Sequence, residues 1–373
     1  MRVVGLMSGT SYDGIDVAVA ELELAGDEIV MTPVTDRQVA YDRAITERIA
    51  DILPPAQTTI EQVCQLDALL GQAYAQAAAG HGADLVVSHG QTVFHWVDDG
   101  RVGGTLQLGQ PAWIAAHTGA PVISDLRSAD IAAGGQGAPL VPAFDALLLG
   151  TDKPRAALNL GGIANATIIR DGSVIGYDIG PANALIDLAA RKFFDESYDR
   201  DGQHASRGHI DERLLNDLLA EPYYRRQPPK STGKELFHLG YLNRHLRSEP
   251  AEDVLATLTE LTARTVADEL DRHGITEVVA SGGGVRNPEL MARLRRLTSA
   301  AIGSIDDLGI PSDAKEAYAF AVLGFLSWHG LPAAVPSVTG ARTARILGSY
   351  TPGSGPLRLP EPRTHAPTRL RIR

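Results

Sequence analysis

The segment "VVGLMSGTSYDGIDVAVAEL", residues 3–22, sets a turn rich in glycine and hydroxyl groups between two strand-like stretches. A glycine turn that holds phosphate usually opens a helix, whose N-terminus adds further N–H groups. Here Ile15, Val17 and Val19 alternate with Asp16, Ala18 and Ala20, so a second strand follows instead. The pattern returns about 150 residues later in "RAALNLGGIANATIIRDG", residues 155–172: strand, glycine turn, strand, then a turn at Asp171-Gly172. Two such units, each opening a mixed α/β half, predict two similar domains whose equivalent turns face a shared cleft. The chain has no G-x-x-x-x-G-K-[ST] and no helix-opening G-x-G-x-x-G, which argues against the P-loop and dinucleotide-binding folds.

Bulk properties narrow the function. The 373 residues, 44% of them apolar, are enough for two real cores. A net charge of −11 argues against nucleic acid or a membrane surface as partner, since both require clustered positive charge. A phosphorylated small substrate stays compatible, because backbone N–H groups and a metal ion supply a local positive field. The single cysteine, Cys64, excludes an internal disulfide and any multi-cysteine metal pattern. No apolar run approaches the length of a membrane span, and the N-terminus enters a strand without signal-peptide regions, so a cytoplasmic setting is expected.

Along the chain, strands are expected at 2–7, 15–22 and 28–40, helices at 42–53 and 58–81, and a buried strand at 83–90. A helix near 110–117 and the strand "APVISDLR" follow. The glycine- and proline-rich joint "AAGGQGAPLVPAF", 132–144, places a domain boundary, giving a first domain at 1–131 and a second at 132–350. Whether the last part of 132–350 returns to the first domain is left open. "VIGYDIGPANALIDLAARKFF" reads as strand, loop and helix, with Pro181 suited to the first helical turn. Helices are expected at 252–273 and 313–329, and at "NPEL", where Asn287 caps and Pro288 takes the first position. Residues 351–373 carry prolines and five arginines without periodicity and read as a disordered tail.

Several clusters carry chemistry. Gly9, Thr10, Ser11, Asp13, Gly14 and Asp16 bring free N–H groups, two hydroxyls and two carboxylates into eight residues, which suits phosphate and Mg²⁺. An ordinary polar hairpin turn explains the same composition. "SGGGVRNPEL" offers Gly282, Gly283 and Gly284, a backbone bare enough for a flat ring or a sugar, where a merely tight turn would need one glycine. Asp178 in "GYDIGPAN" stands at a strand end and suits a general base, or a helix cap. "SHGQT" gives His89, Gln91 and Thr92, a hydrogen-bonding set fit for a sugar, although a lone histidine is more often structural. Arg127, between Asp125 and Asp130, binds a carboxylate or is neutralised by its neighbours.

"GLMSGTSYDGID", "SHGQTVFH", "TLQLG", "SDLRSADIAAGGQGAPLVP", "NLGGIAN", "DIGPANALID", "YDRDG", "PPKSTGKELF", "TLTELTA", "SGGGVRNPELM" and "GIPSDAKEA" occur in this order. Together they resemble the anhydro-N-acetylmuramic acid kinases over all but the tail. The resemblance implies the two-domain actin-like ATPase (ribonuclease H-like) fold with an interdomain cleft that closes over ATP and sugar. It implies ATP contacts from Gly9, Thr10, Ser11, Tyr12, Asp13, Gly14, Ile15 and Asp16, from Gly161 and Gly162, and an adenosine pocket at Gly282, Gly283 and Gly284. It implies Asp178 as catalytic base, with His89, Gln91, Thr92 and Arg127 at the sugar, Mg²⁺ with the nucleotide, and a homodimer. The reaction so implied opens the 1,6-anhydro ring of 1,6-anhydro-N-acetylmuramic acid with water and phosphorylates O6, in cell-wall recycling. The chain departs from the family at Ile179 and Ala182, where threonine and glycine are usual, and at Asp145, where histidine is common. A non-catalytic sugar- and nucleotide-binding regulator on the same fold, or a kinase for another sugar, are the rival readings; an intact Asp178 favours an enzyme over the former.

Overall fold

The computed structural model describes residues 1–373 except Lys234, Pro362 and Thr364. The chain divides into two compact units, Met1–Gly150 with Ala314–Arg373, and Thr151–Asp313. In chain order the strands are β1 (Arg2–Ser8), β2 (Gly14–Ala25), β3 (Glu28–Ala40), β4 (Leu85–Asp98), β5 (Arg101–Leu108), β6 (Val122–Ser124) and β7 (Arg155–Leu160). They continue as β8 (Ile163–Arg170), β9 (Ser173–Pro181), β10 (Glu277–Ser281), β11 (Ala301–Ser304), β12 (Ser349–Thr351) and β13 (Arg369–Ile372).

The first unit holds one sheet ordered β12-β6-β4-β1-β2-β3-β13, with β5 paired to β4. Strands β1, β2 and β3 form an antiparallel meander, while β4 runs parallel to β1 and β6 parallel to β4. The second unit repeats this plan in the order β11-β10-β7-β8-β9: an antiparallel meander β7, β8, β9, then β10 parallel to β7 and β11 parallel to β10. The same order twice in one chain is the actin-like, ribonuclease H-like architecture. The echo between residues 3–22 and 155–172 is its mark in the sequence.

Helices bury the strand faces. The Lys315–Trp328 helix is apolar nearly all round and lies against β1, β2 and β4. Its approach is close enough that a Cβ on Gly5 would meet the Ala317 carbonyl at 2.1 Å, and one on Gly324 would meet Val87 at 2.2 Å. Both contacts require glycine. On the other side Ile60–Ala78, held by a Thr59/Gln62 capping box, packs Leu66, Leu70 and Tyr74 onto the core of Val4, Ile15, Val17 and Val86. In the second unit Ala251–Arg272 sets Ala263, Val266, Ala267 and Leu270 against Leu158, Ala166 and Tyr177. Asn287 caps Pro288–Leu297 through the Glu289 and Leu290 N–H groups, with Pro288 first, as the sequence predicts.

Three expectations change. The boundary falls at Gly150 and the chain returns at Ala314, because the Val141–Leu149 helix belongs to the first unit. There Asp145 meets the Lys315 ammonium at 2.8 Å, both side chains buried. The 351–373 segment is not a free tail throughout: β13 pairs in parallel with β3, burying Leu370 and placing Arg371 Nε 3.2 Å from Glu28. Pro362 and Thr364 of that segment lie outside the described residues. Pro181 closes β9 rather than opening a helix, which begins at Asn183. Among the described residues no helix is long and apolar enough to cross a membrane.

Candidate active site

In the first unit the turn from Gly9 to Asp13 joins β1 to β2. Tyr12 sits at φ 43° and donates its N–H to the Gly9 carbonyl (3.3 Å), while Ser11 Oγ donates to Asp13 Oδ1 (3.0 Å). The N–H groups of Thr10, Ser11 and Asp13 have no acceptor among the described residues, and all three residues are exposed. A buried network holds the turn from behind. The Ser8 hydroxyl lies 2.7 Å from both the Gly14 carbonyl and Gln91 Oε1, and Gln91 Nε2 donates to the Gly9 carbonyl (3.1 Å). Tyr41 and Tyr74 hydroxyls, 3.3 Å apart, close it. Ile15 is 1% exposed in the core, so only its backbone faces the turn, and Asp16 is half-buried opposite Met7.

His89, Gln91 and Thr92 lie within β4, which runs on to Asp98 instead of ending near Gly90. Arg127 Nε donates to His89 Nε2 (2.9 Å) and Nη1 donates to the Gly137 carbonyl (2.7 Å). Arginine is donor only, so His89 Nε2 carries no proton and Nδ1–H donates to the Gly90 carbonyl at 2.7 Å. Burial first, then the Arg127 charge, pushes the His89 pKa down to about 3, with the Gly90 bond opposing. Burial lowers that of Arg127 to about 10 against the attraction of Glu316, so the guanidinium stays charged. Asp125 is committed to the Ser128 N–H and hydroxyl, and Asp130 to the Gly137 N–H and the Thr339 hydroxyl. Neither neutralises Arg127.

Of the expected sugar set, His89 has both ring nitrogens and Gln91 both amide atoms in hydrogen bonds inside the protein, the first with Arg127 and Gly90, the second with Ser8 and Gly9. Thr92 accepts from Gln107 Nε2 (3.1 Å), and neither its O–H nor Arg127 Nη2 has an acceptor among the described residues.

In the second unit the Gly161-Gly162 turn is tied to the start of the Asn183–Phe194 helix. Asn183 N–H donates to Gly161 O (3.0 Å), the Ala182 and Ala184 N–H groups donate to Gly162 O (2.9 and 3.0 Å), and Asn183 Nδ2 donates to Leu160 O (2.9 Å) and Gly161 O (2.8 Å). Across planar trans peptides, the N–H groups of Gly161 and Gly162 therefore face away from the helix. The triple glycine divides by role. Gly282, at φ 84°, packs within 2.4 Å (as a Cβ) of Asn159 Oδ1, and Gly284 within 2.7 Å of Leu160 Cβ; only Gly283 faces open space. A cavity of about 310 Å³ lies beside this turn, lined by Val285, Arg286, Met291, Arg295, Ser304 and Asp306 among others.

Asp178 lies on β9, the edge strand of its sheet, with Tyr177 and Ile179 on either side turned into the core. Its Oδ2 accepts from Ser231 Oγ (2.8 Å) and the Thr232 N–H (3.0 Å). Oδ1 receives no donor among the described residues. Burial raises its pKa above the usual carboxylate value; the Thr232 and Ser231 bonds oppose this and Glu235 adds to it. Ile179, 1% exposed, points away from the carboxylate, so the missing threonine hydroxyl leaves no gap beside it. Ala182 is likewise buried, and Asp145 in place of histidine gains Lys315 as partner. The segment holding Asp178 was missed by sequence reasoning; its signals were a lysine after Pro228-Pro229 and Glu269 on the core face of an amphipathic helix.

The family model described as "Anhydro-N-acetylmuramic acid kinase" matches residues 1–353. An anhydro-N-acetylmuramic acid kinase of Streptomyces coelicolor is 54% identical, covering 100% of this chain and 99% of that one. Another, of Streptomyces avermitilis, is 56% identical over 99% of each. Among solved structures, the activator of 2-hydroxyisocaproyl-CoA dehydratase from Clostridium difficile with bound ADPNP aligns at 15% identity and a TM-score of 0.40, over 87% of this chain and 97% of that one.

Proposed function

The chain belongs to the anhydro-N-acetylmuramic acid kinase family, and from that premise we propose that it phosphorylates O6 of 1,6-anhydro-N-acetylmuramic acid from ATP while water adds at C1, with Asp178 as the base. The substrate has no free 6-hydroxyl, because O6 is bonded to C1. Water attacks C1, the C1–O6 bond breaks with its electron pair going to O6, and O6 takes the γ-phosphoryl group as the bond to ADP breaks. Asp178 takes the proton lost by the water. The products are N-acetylmuramic acid 6-phosphate and ADP.

A carboxylate is a weak base toward free water, whose pKa is ~15.7. It suffices only when proton removal is concerted with C1–O6 cleavage and phosphoryl transfer, so that neither hydroxide nor alkoxide accumulates. The raised pKa of Asp178 moves it in the useful direction. The free N–H groups of the Gly9–Asp13 turn, and those of Gly161 and Gly162, suit phosphate oxygens. The bare backbone at Gly283 and the cavity beside it suit the adenosine. The Nη2 edge of Arg127 suits the substrate's lactyl carboxylate, with the Thr92 hydroxyl as a second donor. Asp13 and Asp16 are oxygen donors of the kind Mg²⁺ takes, directly or through water. When bound, Mg²⁺ neutralises charge on the transferring phosphoryl group. A homodimer and a cytoplasmic setting go with this assignment.

The observation that carries the proposal is the Asp178 carboxylate, half-buried on the family motif and held by Oδ2, with no donor to Oδ1 among the described residues. Asp178→Asn is expected to abolish turnover with ATP affinity nearly unchanged by calorimetry. Near-normal turnover would remove Asp178 as base.

A further inference from the structure

We propose that residues 230–232 form a strap that positions Asp178, fixing Oδ2 through the Ser231 hydroxyl and the Thr232 N–H so that Oδ1 is the oxygen that accepts the proton. This rests on Asp178 as the base, proposed above. The strap lies along the free edge of β9, where the Asp178 N–H donates to the Lys230 carbonyl (3.2 Å). The Tyr223 hydroxyl donates to the Asp178 carbonyl (2.7 Å). The strap thus holds both the N–H and the carboxylate of Asp178, and the Pro222–Arg225 turn holds its carbonyl.

What holds the strap is buried. Lys230 Nζ lies 2.9 Å from Glu269 Oε1, with the two side chains 2% and 4% exposed. The ammonium also sits 5.4 Å from the Tyr177 ring centre and 5.2 Å from that of Tyr223. Glu269 accepts further from the Tyr177 hydroxyl (3.0 Å) and Arg272 Nη1 (3.1 Å). A buried ion pair is rarely more stable than an apolar pair of the same volume, because desolvation offsets the attraction. Its location is the more telling property: it pins the backbone next to the two groups that touch Asp178. The side chains of the strap divide the work. Ser231 is exposed, yet its hydroxyl is spent on the carboxylate. Thr232 Oγ1 is buried with no partner among the described residues, and Thr232 acts through its backbone.

Two donors on one oxygen stop rotation of the carboxylate and leave the Oδ1 lone pairs directed at whatever lies in front of them. Among the described residues, the ionisable groups around Asp178 are Glu235 on the strap's continuation, Tyr223 on the Pro222–Arg225 turn, and the Lys230–Glu269 pair; Asn165 lies across from it on β8. The Ser231 and Thr232 bonds favour the ionised carboxylate, so losing one raises the Asp178 pKa. Activity requires the ionised base, hence the acid limb of the kcat profile moves to higher pH.

The test compares full-length wild type, Ser231→Ala, Ser231→Thr and Asp178→Asn. Because Ser231 is exposed, Ser231→Ala should fold with an unchanged Tm. It should lower kcat about 10-fold on the pH plateau, as a loosened reacting group does, with KM for ATP unchanged. Its acid limb, and the Asp178 carboxyl titration followed by ¹³C NMR without substrate, should both move up by roughly half a pH unit or more. Ser231→Thr, which keeps the hydroxyl, should restore both. Unchanged kcat and titration in Ser231→Ala, with Asp178→Asn inactive, would overturn the strap alone. Activity in Asp178→Asn would overturn the base assignment and the strap with it.

Discussion

Replacing His89 by glutamine should make the first unit less sensitive to acid, by an amount that follows from the Arg127 contact. In the folded chain His89 protonates only near pH 3, since burial and the guanidinium both disfavour a second charge. In the unfolded chain it protonates near 6.5. The folded pKa is thus depressed. The stability from keeping the ring neutral is fully present above pH 6.5 and is lost progressively as pH falls toward 3. Between pH 6.5 and 5 the unfolded chain carries, on average, about 0.8 of a proton that the folded chain lacks, which removes about 1.6 kcal/mol at about 1.4 kcal/mol per pK unit. Glutamine offers an acceptor for Arg127 Nε and a donor for the Gly90 carbonyl but does not titrate. Trp96, Trp113 and Trp328 all lie in the first unit, so tryptophan fluorescence in urea reports its unfolding. At a urea slope of about 2–3 kcal/mol per M, wild type should lose roughly 0.5–0.8 M more of its midpoint than His89→Gln over this interval. The other histidines are common to both proteins and cancel. Equal midpoint losses would show that His89 is not held neutral and would refute the tautomer assigned here.

Gly284→Ala should destabilise the second unit by about 1–3 kcal/mol through contact with Leu160 and Asn183, whereas Gly283→Ala should leave the urea midpoint unchanged and raise KM for ATP. Equal effects on both measures would contradict the division of roles between the two glycines. Arg127→Ala should raise KM for the anhydro sugar about 10- to 100-fold with KM for ATP unchanged, the loss typical of a charge-assisted contact. An unchanged sugar KM would place the lactyl carboxylate elsewhere.

The hairpins around Gly9 and Gly161 were legible because alternation with period two is local, and the glycines interrupt it at the turn. The fold plan followed from their repetition. Pairings between distant segments were not legible. The sequence of β13, "RLRI", is four residues long and finds its partner at Glu28–Met31, at the opposite end of the chain. The Val141–Leu149 helix reads as following a joint, yet Lys315, remote in sequence, ties it to the first unit. Strand β4 runs on through Gly90, where the sequence predicts its end; the φ of 74° there marks an irregularity that the ladder survives. Within the candidate site, residue types announced their chemistry but not their commitments. His89 and Gln91 read as ligand contacts in the sequence, which does not show that Arg127 and Ser8 are their partners in the fold. The strap at 230–232 was invisible for the same reason, since its anchor Glu269 lies 39 residues away.

Water's part in the reaction is open to a single labelling experiment. The protein is incubated with Mg-ATP and 1,6-anhydro-N-acetylmuramic acid in ¹⁸O-labelled water and quenched before preformed product exchanges its anomeric oxygen. Mass spectrometry should find one ¹⁸O per N-acetylmuramic acid 6-phosphate, at C1, none in the phosphoryl group, and one ADP per sugar. Product that carries no ¹⁸O at C1, or carries it in the phosphoryl group, contradicts ring opening by water coupled to transfer onto O6.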